Sequence, residues 1–149
     1  MLGQLSFQVA GDRPIIQVEV KPSLLAQHHL FANAPHRVPS AVVPFLIDTG
    51  SPCCVIDESV VDTWRLRKHS YCTISTGLNG AHLRPRHDLS LRLHTHAGSD
   101  SWLHGVFPAV SVPAGNFGKE PYLGIVGMDL LSWGTLQFAG RTGTFSLWW

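Results

Sequence analysis

The sequence predicts a mainly β protein, on three observations. Glycine (14) and proline (10) punctuate the chain at short intervals, as turn residues do between strands. Between them lie short runs rich in Val, Ile, Leu, Phe and Trp. Helix-like windows are few and short. A length of 149 residues suits one domain, residues 1–149, with a moderate core.

The elements follow in chain order. Residues 15–20 (IIQVEV) alternate with the period of two of a half-buried strand. Residues 21–41 carry three prolines and no clean period, which predicts an irregular connection, or a strand followed by a loop. Phe45, Leu46 and Ile47 read as a buried strand that stops at Asp48, and Val55 and Ile56 are the next apolar pair. Residues 57–67 (DESVVDTWRLR) have the polarity of a helix, with acids in the first turn and bases in the last. Residues 74–93 hold Asn79-Gly80, a good hairpin-turn pair, between strand-like arms. Residues 89–95 (LSLRLHT) alternate again, and residues 112–121 (VPAGNFGKEP) read as a loop. Residues 127–133 (GMDLLSW) are a second, short helix window. Residues 135–138 (TLQF) and 144–149 (TFSLWW) are strand-like and are joined by a Gly-Arg-Thr-Gly turn. There is no internal repeat and no low-complexity segment.

Composition narrows the function. Lysine plus arginine is 11 and aspartate plus glutamate is 10, a net charge of +1. That balance argues against nucleic acid and against an anionic membrane surface as partners. Charged residues make up 14%, against about a quarter in ordinary domains, which suits a protein that hides part of its surface against a partner. No apolar stretch approaches the roughly 18 residues that span a bilayer. The start, MLGQLSFQVAGDRP, has neither a basic leader nor a long apolar segment, so a cytoplasmic protein is expected; a fragment excised from a larger polypeptide would look the same. Cys53, Cys54 and Cys72 are odd in number and two are adjacent, which makes a poor disulfide framework. Reduced, partly buried thiols are expected, with a redox bridge from Cys53 or Cys54 to Cys72 as the alternative.

Asp48 poses the main question. Burying a charge at the end of an apolar strand is expensive unless something compensates it. Asp-Thr-Gly alone can be a simple turn, because Asp and Thr bond to nearby backbone and Gly supplies positive φ. Its setting says more. An apolar strand leads in, a small hydroxyl residue follows, and a second apolar group comes soon after. A carboxylate would then sit on a turn held by a β scaffold, where functional groups are well placed.

Residues 44–56, PFLIDTGSPCCVI, resemble the active-site segment of the aspartic proteases, and more narrowly of their single-domain, retropepsin-like branch. Residues 122–133, YLGIVGMDLLSW, are similar to that family's apolar-apolar-Gly stretch and the short helix after it, here Ile125, Val126 and Gly127, then Met128 to Leu131. Residues 74–93 resemble the flap, with Gly77, Leu78, Asn79 and Gly80 at its tip, and residues 13–20 resemble the strand before the active-site strand. The resemblance covers most of residues 13–147. It implies a retropepsin-like closed acid-protease barrel with a psi-loop active site, a flap hairpin and one or two short helices.

The implied activity is that of an aspartic endopeptidase acting on extended polypeptides, with no cofactor and no metal. Such chemistry uses two carboxyl groups that share one proton; one activates water and the other polarises the scissile carbonyl. This chain has a single Asp-Thr-Gly, and none of its other acids has a comparable setting. The resemblance therefore implies a homodimer that pairs Asp48 with Asp48 of the partner subunit across a two-fold axis. Asp48, Thr49 and Gly50 are the implied catalytic triplet. Thr49 would hydrogen-bond across the dimer, and Gly50 would bring its N–H close to the carboxylate. Ser51, Gly77, Leu78, Asn79, Gly80, Ile125 and Val126 are the implied substrate-binding residues, with the peptide bound as an added strand beneath the flap. A Ser51 hydroxyl donated to the carboxylate would move the working range to lower pH than alanine there; otherwise it is a plain turn hydroxyl. Leu78 is either a substrate contact or an exposed hairpin leucine. The terminal strand, with Trp148 and Trp149, either pairs at the subunit interface as a free edge or folds back on its own domain.

Other readings differ in class. A retropepsin-fold dimer could bind peptides while cutting weakly or not at all, because fold does not dictate function. A metal-binding β protein could use His94 and His96, which lie two apart on one strand face, with His104 brought from another strand; an exposed polar face is the simpler explanation of the pair. His28, His29 and His36 fall in the irregular segment and read as solvated. Trp64, Trp102 and Trp133 read first as core aromatics and second as pocket walls.

Overall fold

A computed structural model describes residues 4–8, 13–68, 70–75, 80–94 and 101–148. Those residues are mainly β. The strands are β1 (Gln4–Gln8), β2 (Ile15–Pro22), β3 (Ala41–Ile47), β4 (Val55–Asp57), β5 (Ser70–Ser75), β6 (Ala81–His94), β7 (Ser101–Val112), β8 (Gly124–Val126), β9 (Thr135–Ala139) and β10 (Thr144–Trp148). Three short helices interrupt them: α1 (Leu24–Phe31), α2 (Glu58–Val61) and α3 (Met128–Leu131). No helix among the described residues is long and apolar enough to cross a membrane.

The alternation in the sequence becomes two faces of a sheet. In β2, Ile16, Val18 and Val20 are buried while Gln17 is exposed. In β3, Val43, Phe45 and Ile47 are buried in the same way. The strands run antiparallel with Val18 opposite Val43. On its other edge β2 pairs with β6, with Val18 opposite Leu93 and Val20 opposite Leu91. These side chains join Leu89, Ile56, Val126, Trp64, Phe145 and Leu147 in one core cluster. Each fully buried aliphatic or aromatic side chain stabilises the fold by about 1.5–3 kcal/mol relative to exposure.

The strand order is β2-β3-β8-β4-β7-β6-β5, with β2 also paired to β6. The long strand β6 serves two neighbours along one edge and β7 along the other. Residues 81–86 pair with β5, and residues 89–94 pair with β2. An irregularity between Leu89 and Leu91 in its pairing with β7 lies where the neighbours change, as a bulge that bends a strand would. Two contacts are parallel, β3 with β8 and β4 with β7; β8 lies between β3 and β4 and runs antiparallel to β4. A separate three-stranded sheet has the order β1-β10-β9.

Two expectations from the sequence need correction, and one of the two open readings of the chain end falls away. Residues 21–41 contain a helix. Ser23 caps α1, its Oγ accepting the Ala26 N–H at 3.2 Å, and a 3-10 turn follows at Pro35–Arg37. No residue of α1 is buried, so it carries no apolar stripe to reveal it. The helix expected over residues 57–67 is a single α turn capped by Asp57, then a 3-10 turn at Asp62–Trp64 that ends at Arg65 in the left-handed region (φ 53°). The terminal strand β10 is not a free edge: β1 and β9 flank it on both sides. Trp148 is half-buried there, and Trp149 lies outside the described residues.

Candidate active site

Asp48 follows the last residue of β3, where the strand's inward alternation ends at buried Ile47. The turn it opens is held to the rest of the fold at each step. The Asp48 N–H donates to the Val126 carbonyl (3.1 Å), and the Ile47 N–H to the Pro14 carbonyl (2.9 Å). The Ser51 carbonyl accepts from Met128 N–H (2.8 Å), and the Cys54 carbonyl from Val110 N–H (3.0 Å). β3, β7, β8 and the start of α3 thus all fasten one seven-residue loop, 48–54. Leaving one such donor or acceptor buried and unpaired would cost about 1–3 kcal/mol.

Gly127 explains how closely the two segments approach. A Cβ built on it would lie 2.3 Å from the Cys53 carbonyl oxygen and 2.4 Å from the carbonyl carbon. Only glycine lets these backbones touch. Gly124 plays a related part in β8, where the Phe45 ring of its cross-strand partner occupies the space that a Cβ would fill.

The carboxylate is half-buried, and its Oδ1 accepts the Gly50 N–H at 2.8 Å. Gly50 therefore stands where the sequence suggested, with its N–H on the carboxylate. Thr49 is exposed beside it. Both Asp48 and Thr49 line a hollow of about 310 Å³ together with Pro14, Leu136 and Phe138. Tyr122 stands near enough to feel the Asp48 charge. Burial first, then Glu120 and Asp48, push its phenol above the ordinary value, against the pull of Arg13. Arg13 pairs with Glu120, and the Tyr122 ring meets Phe117 edge-on with centroids 5.3 Å apart.

Of the two readings of Ser51, the plain turn hydroxyl fits. Its Oγ donates to the Cys53 carbonyl at 2.7 Å, closing the turn on itself. Its N–H donates to the Asp48 main-chain carbonyl at 3.2 Å, and the hydroxyl is engaged away from the carboxylate, so the lower working pH has no contact behind it. Of the other implied binding residues, Val126 is fully buried and meets the site through its carbonyl rather than its side chain. Ile125 is half-buried. Gly80 is exposed with φ +73°, in keeping with a turn. Gly77, Leu78 and Asn79 lie outside the described residues, but the arms beside them pair as a hairpin, Ser75 opposite Ala81 and Ile74 opposite His82. His96 and the side chains of His94 and His104 also fall outside the described residues; among those described, no cluster of three or more His, Cys, Asp or Glu could hold a metal. Trp64 is a core aromatic as expected, whereas Trp133 is 64% exposed and not core.

Two further aspartates are structural, Asp129 at the turn and Asp57 at the start of α2. Asp129 reaches back from α3. Its Oδ2 accepts the Cys54 N–H (3.0 Å), and its Oδ1 receives the Cys54 thiol (3.1 Å) and the Leu130 N–H (2.9 Å). Burial, and then this carboxylate, push the Cys54 thiol well above its ordinary value, which leaves it unreactive. The Cys53 thiol is raised too, by burial first and then by Cys72 and Asp129, against Arg86. All three cysteines are free thiols. Asp57 is completely buried, and its carboxylate accepts from Ser59 N–H, Ser59 Oγ and Gly115 N–H at 3.0, 2.6 and 3.0 Å. The sequence signal for Asp129 was its place two residues beyond Gly127, in the first turn of a helix; Asp57 carried only its helix-cap position.

No family model matches this sequence, and no curated protein matches it. Among solved structures, the chain is similar to a retropepsin-like aspartic protease from Rickettsia conorii, with a TM-score of 0.54 over 100% of this chain and 93% of that one at 12% identity. The strands, the Asp48 turn and the glycine against which it packs therefore belong to a β-rich fold of retropepsin-like form.

Proposed function

We propose that this protein is an aspartic endopeptidase that works as a homodimer, one domain spanning residues 1–149 in each subunit. In this reading the pairing of β2 with β6 closes the acid-protease barrel. The strand β8 between β3 and β4 makes the psi-loop, and β5 with β6 forms the flap. Asp48 and Asp48 of the partner subunit share a proton. The ionised carboxylate takes a proton from water, and the protonated one hydrogen-bonds to the scissile carbonyl; the proton then passes to the departing amine. Thr49 ties the two turns together, and Ser51, Ile125 and the hairpin tip contact an extended peptide.

One observation carries the reading: the half-buried Asp48 carboxylate stands on a turn held from several elements and opens beside an apolar edge. Phe138, 57% exposed, and Leu136 line the same hollow as Asp48 and Thr49. They lie on β9, an edge of the three-stranded sheet. An exposed aromatic on an unpaired strand edge suits burial against a second copy. Digestion of a peptide library, with and without a pepstatin-type inhibitor, tests the proposal on wild type and Asp48→Asn, with sedimentation reporting the dimer. Inhibitable cleavage that disappears in Asp48→Asn is the expected result. Cleavage surviving that substitution, or a monomer that cleaves, overturns it. Peptide binding without cleavage would make the protein a binding module.

A further inference from the structure

A second surface lies at the other end of β3. β2 runs antiparallel to β3, so Pro22 at its end lies beside Ala41 and not beside Asp48. The chain then turns into α1, and Ser23 N–H bonds the Asp88 carbonyl at 3.1 Å. Six residue steps separate Ala41 from Ile47, about 20 Å of strand. A groove of about 610 Å³ runs there between α1 and residues 65–68.

Its chemistry is two-sided. Leu25 and Leu30 on α1 line it although they are 65% and 50% exposed, and Leu66 lies across from them. A helix of eight residues that shows so much aliphatic surface and buries none of its own residues has gained little from its own fold. Arg65, Arg67 and Lys68 bring three cations to the same groove, with Asp88 as the one carboxylate. All three cations are exposed and none forms an ion pair among the described residues. Arg65 is also the one non-glycine with positive φ among the described residues. That conformation costs about 1–2 kcal/mol for a residue with a side chain, at a position where glycine would relieve it. Strain held in a residue at the mouth of a groove is a pointer to use.

We propose that this groove docks an acidic polypeptide segment bearing leucine-like side chains. The aliphatic groups fill the wall formed by Leu25, Leu30 and Leu66, and the carboxylates meet Arg65, Arg67 and Lys68. Charge complementarity selects the occupant, because a neutral apolar segment would leave three cations partly desolvated without partners. The site is independent of Asp48 and does not rest on the proteolytic reading.

The probe is a fluorescein-labelled peptide of Glu-Glu-Leu repeats, titrated against the full chain by fluorescence anisotropy. Saturable binding that weakens with added salt is expected. Replacing Arg65, Arg67 and Lys68 together by serine weakens it by about tenfold or more, and so does Leu25→Ser with Leu30→Ser, while Asp48→Asn binds as wild type. These side chains are exposed, and thermal melts of each variant confirm the fold. No binding overturns the proposal, as does equal binding of a Lys-Lys-Leu peptide or unchanged binding by either multiple variant. Tighter binding of duplex RNA than of the acidic peptide also overturns it, since the groove would then be a polyanion site.

Discussion

Asp48 and Asp57 both lie at strand ends, nine residues apart, and the structure uses them in opposite ways. Asp57 is sealed: its residue has no exposed surface, and three donors from two segments engage both of its oxygens. It stabilises the start of α2 and anchors the 114–119 turn through Gly115. Asp48 is half-buried, with one N–H donor, from Gly50, on its carboxylate and a hollow in front of it. A buried carboxylate with both oxygens engaged holds structure together, because most of its lone pairs are already committed. One with free lone pairs on a rigid turn remains able to exchange a proton. Their surroundings, not their residue type, separate them.

The largest effects test that contrast directly. Asp48→Asn should abolish peptide cleavage, by about a thousandfold or more, while leaving the urea midpoint nearly unchanged. Asp57→Ala should do the reverse. It removes a fully buried carboxylate and leaves the Ser59 and Gly115 donors without their acceptor, so unfolding free energy should fall by about 1–3 kcal/mol. If Asp48→Asn unfolds the protein, or Asp57→Ala melts like wild type, the contrast is wrong.

Intermediate effects sharpen it at the joint that holds Asp48 in place. Gly127→Ala puts a methyl group into the Cys53 backbone. Either that loop or α3 must move, at about 1–3 kcal/mol or more, and activity should fall further than stability because the loop carries Asp48. Asp129→Ala strips Cys54 N–H and its thiol of their acceptor. A loss of about 1–3 kcal/mol follows.

The smallest effect is on pH. His87 is buried with its Nε2 3.3 Å from Ser111 Oγ. Burial first, and Lys68 with it, hold its imidazole below the ordinary 6.5, against the pull of the Arg67 backbone, Glu58 and Asp88. The unfolded chain then binds a proton more readily than the folded one, so this histidine's contribution is present above pH 6.5 and is lost as pH falls through its lower folded value. Unfolding free energy measured from pH 7.5 to 5 should decline on acidification, and His87→Gln should flatten that slope. An unchanged slope would show that other groups dominate.

Much of the site was legible because its signals are local. Phe45 to Ile47 alternate into a core, and Asp48 to Gly50 form a turn. The helix α1 was not legible, because a helix that buries none of its residues carries no 3.6-residue stripe. Asp129 and Asp57 were not legible either. Their partners Cys54 and Gly115 lie 75 and 58 residues away in the chain, and no local pattern encodes such a distance. The Ser51 hydroxyl went to the Cys53 carbonyl because that acceptor lies within the same turn. β10 lost its free edge because β1, from the far end of the chain, pairs with it.

By itself the sequence determined which residues face inward and where turns fall. Those properties follow from side-chain period and backbone sterics within a few residues. Tertiary structure alone decided which carboxylate is enclosed and which stays open, where two segments meet so closely that only glycine fits, and which strand is an edge. Those depend on donors and strands that meet only after the sheets have assembled, and hydrogen-bond partners of that kind are chosen by proximity in space rather than along the chain.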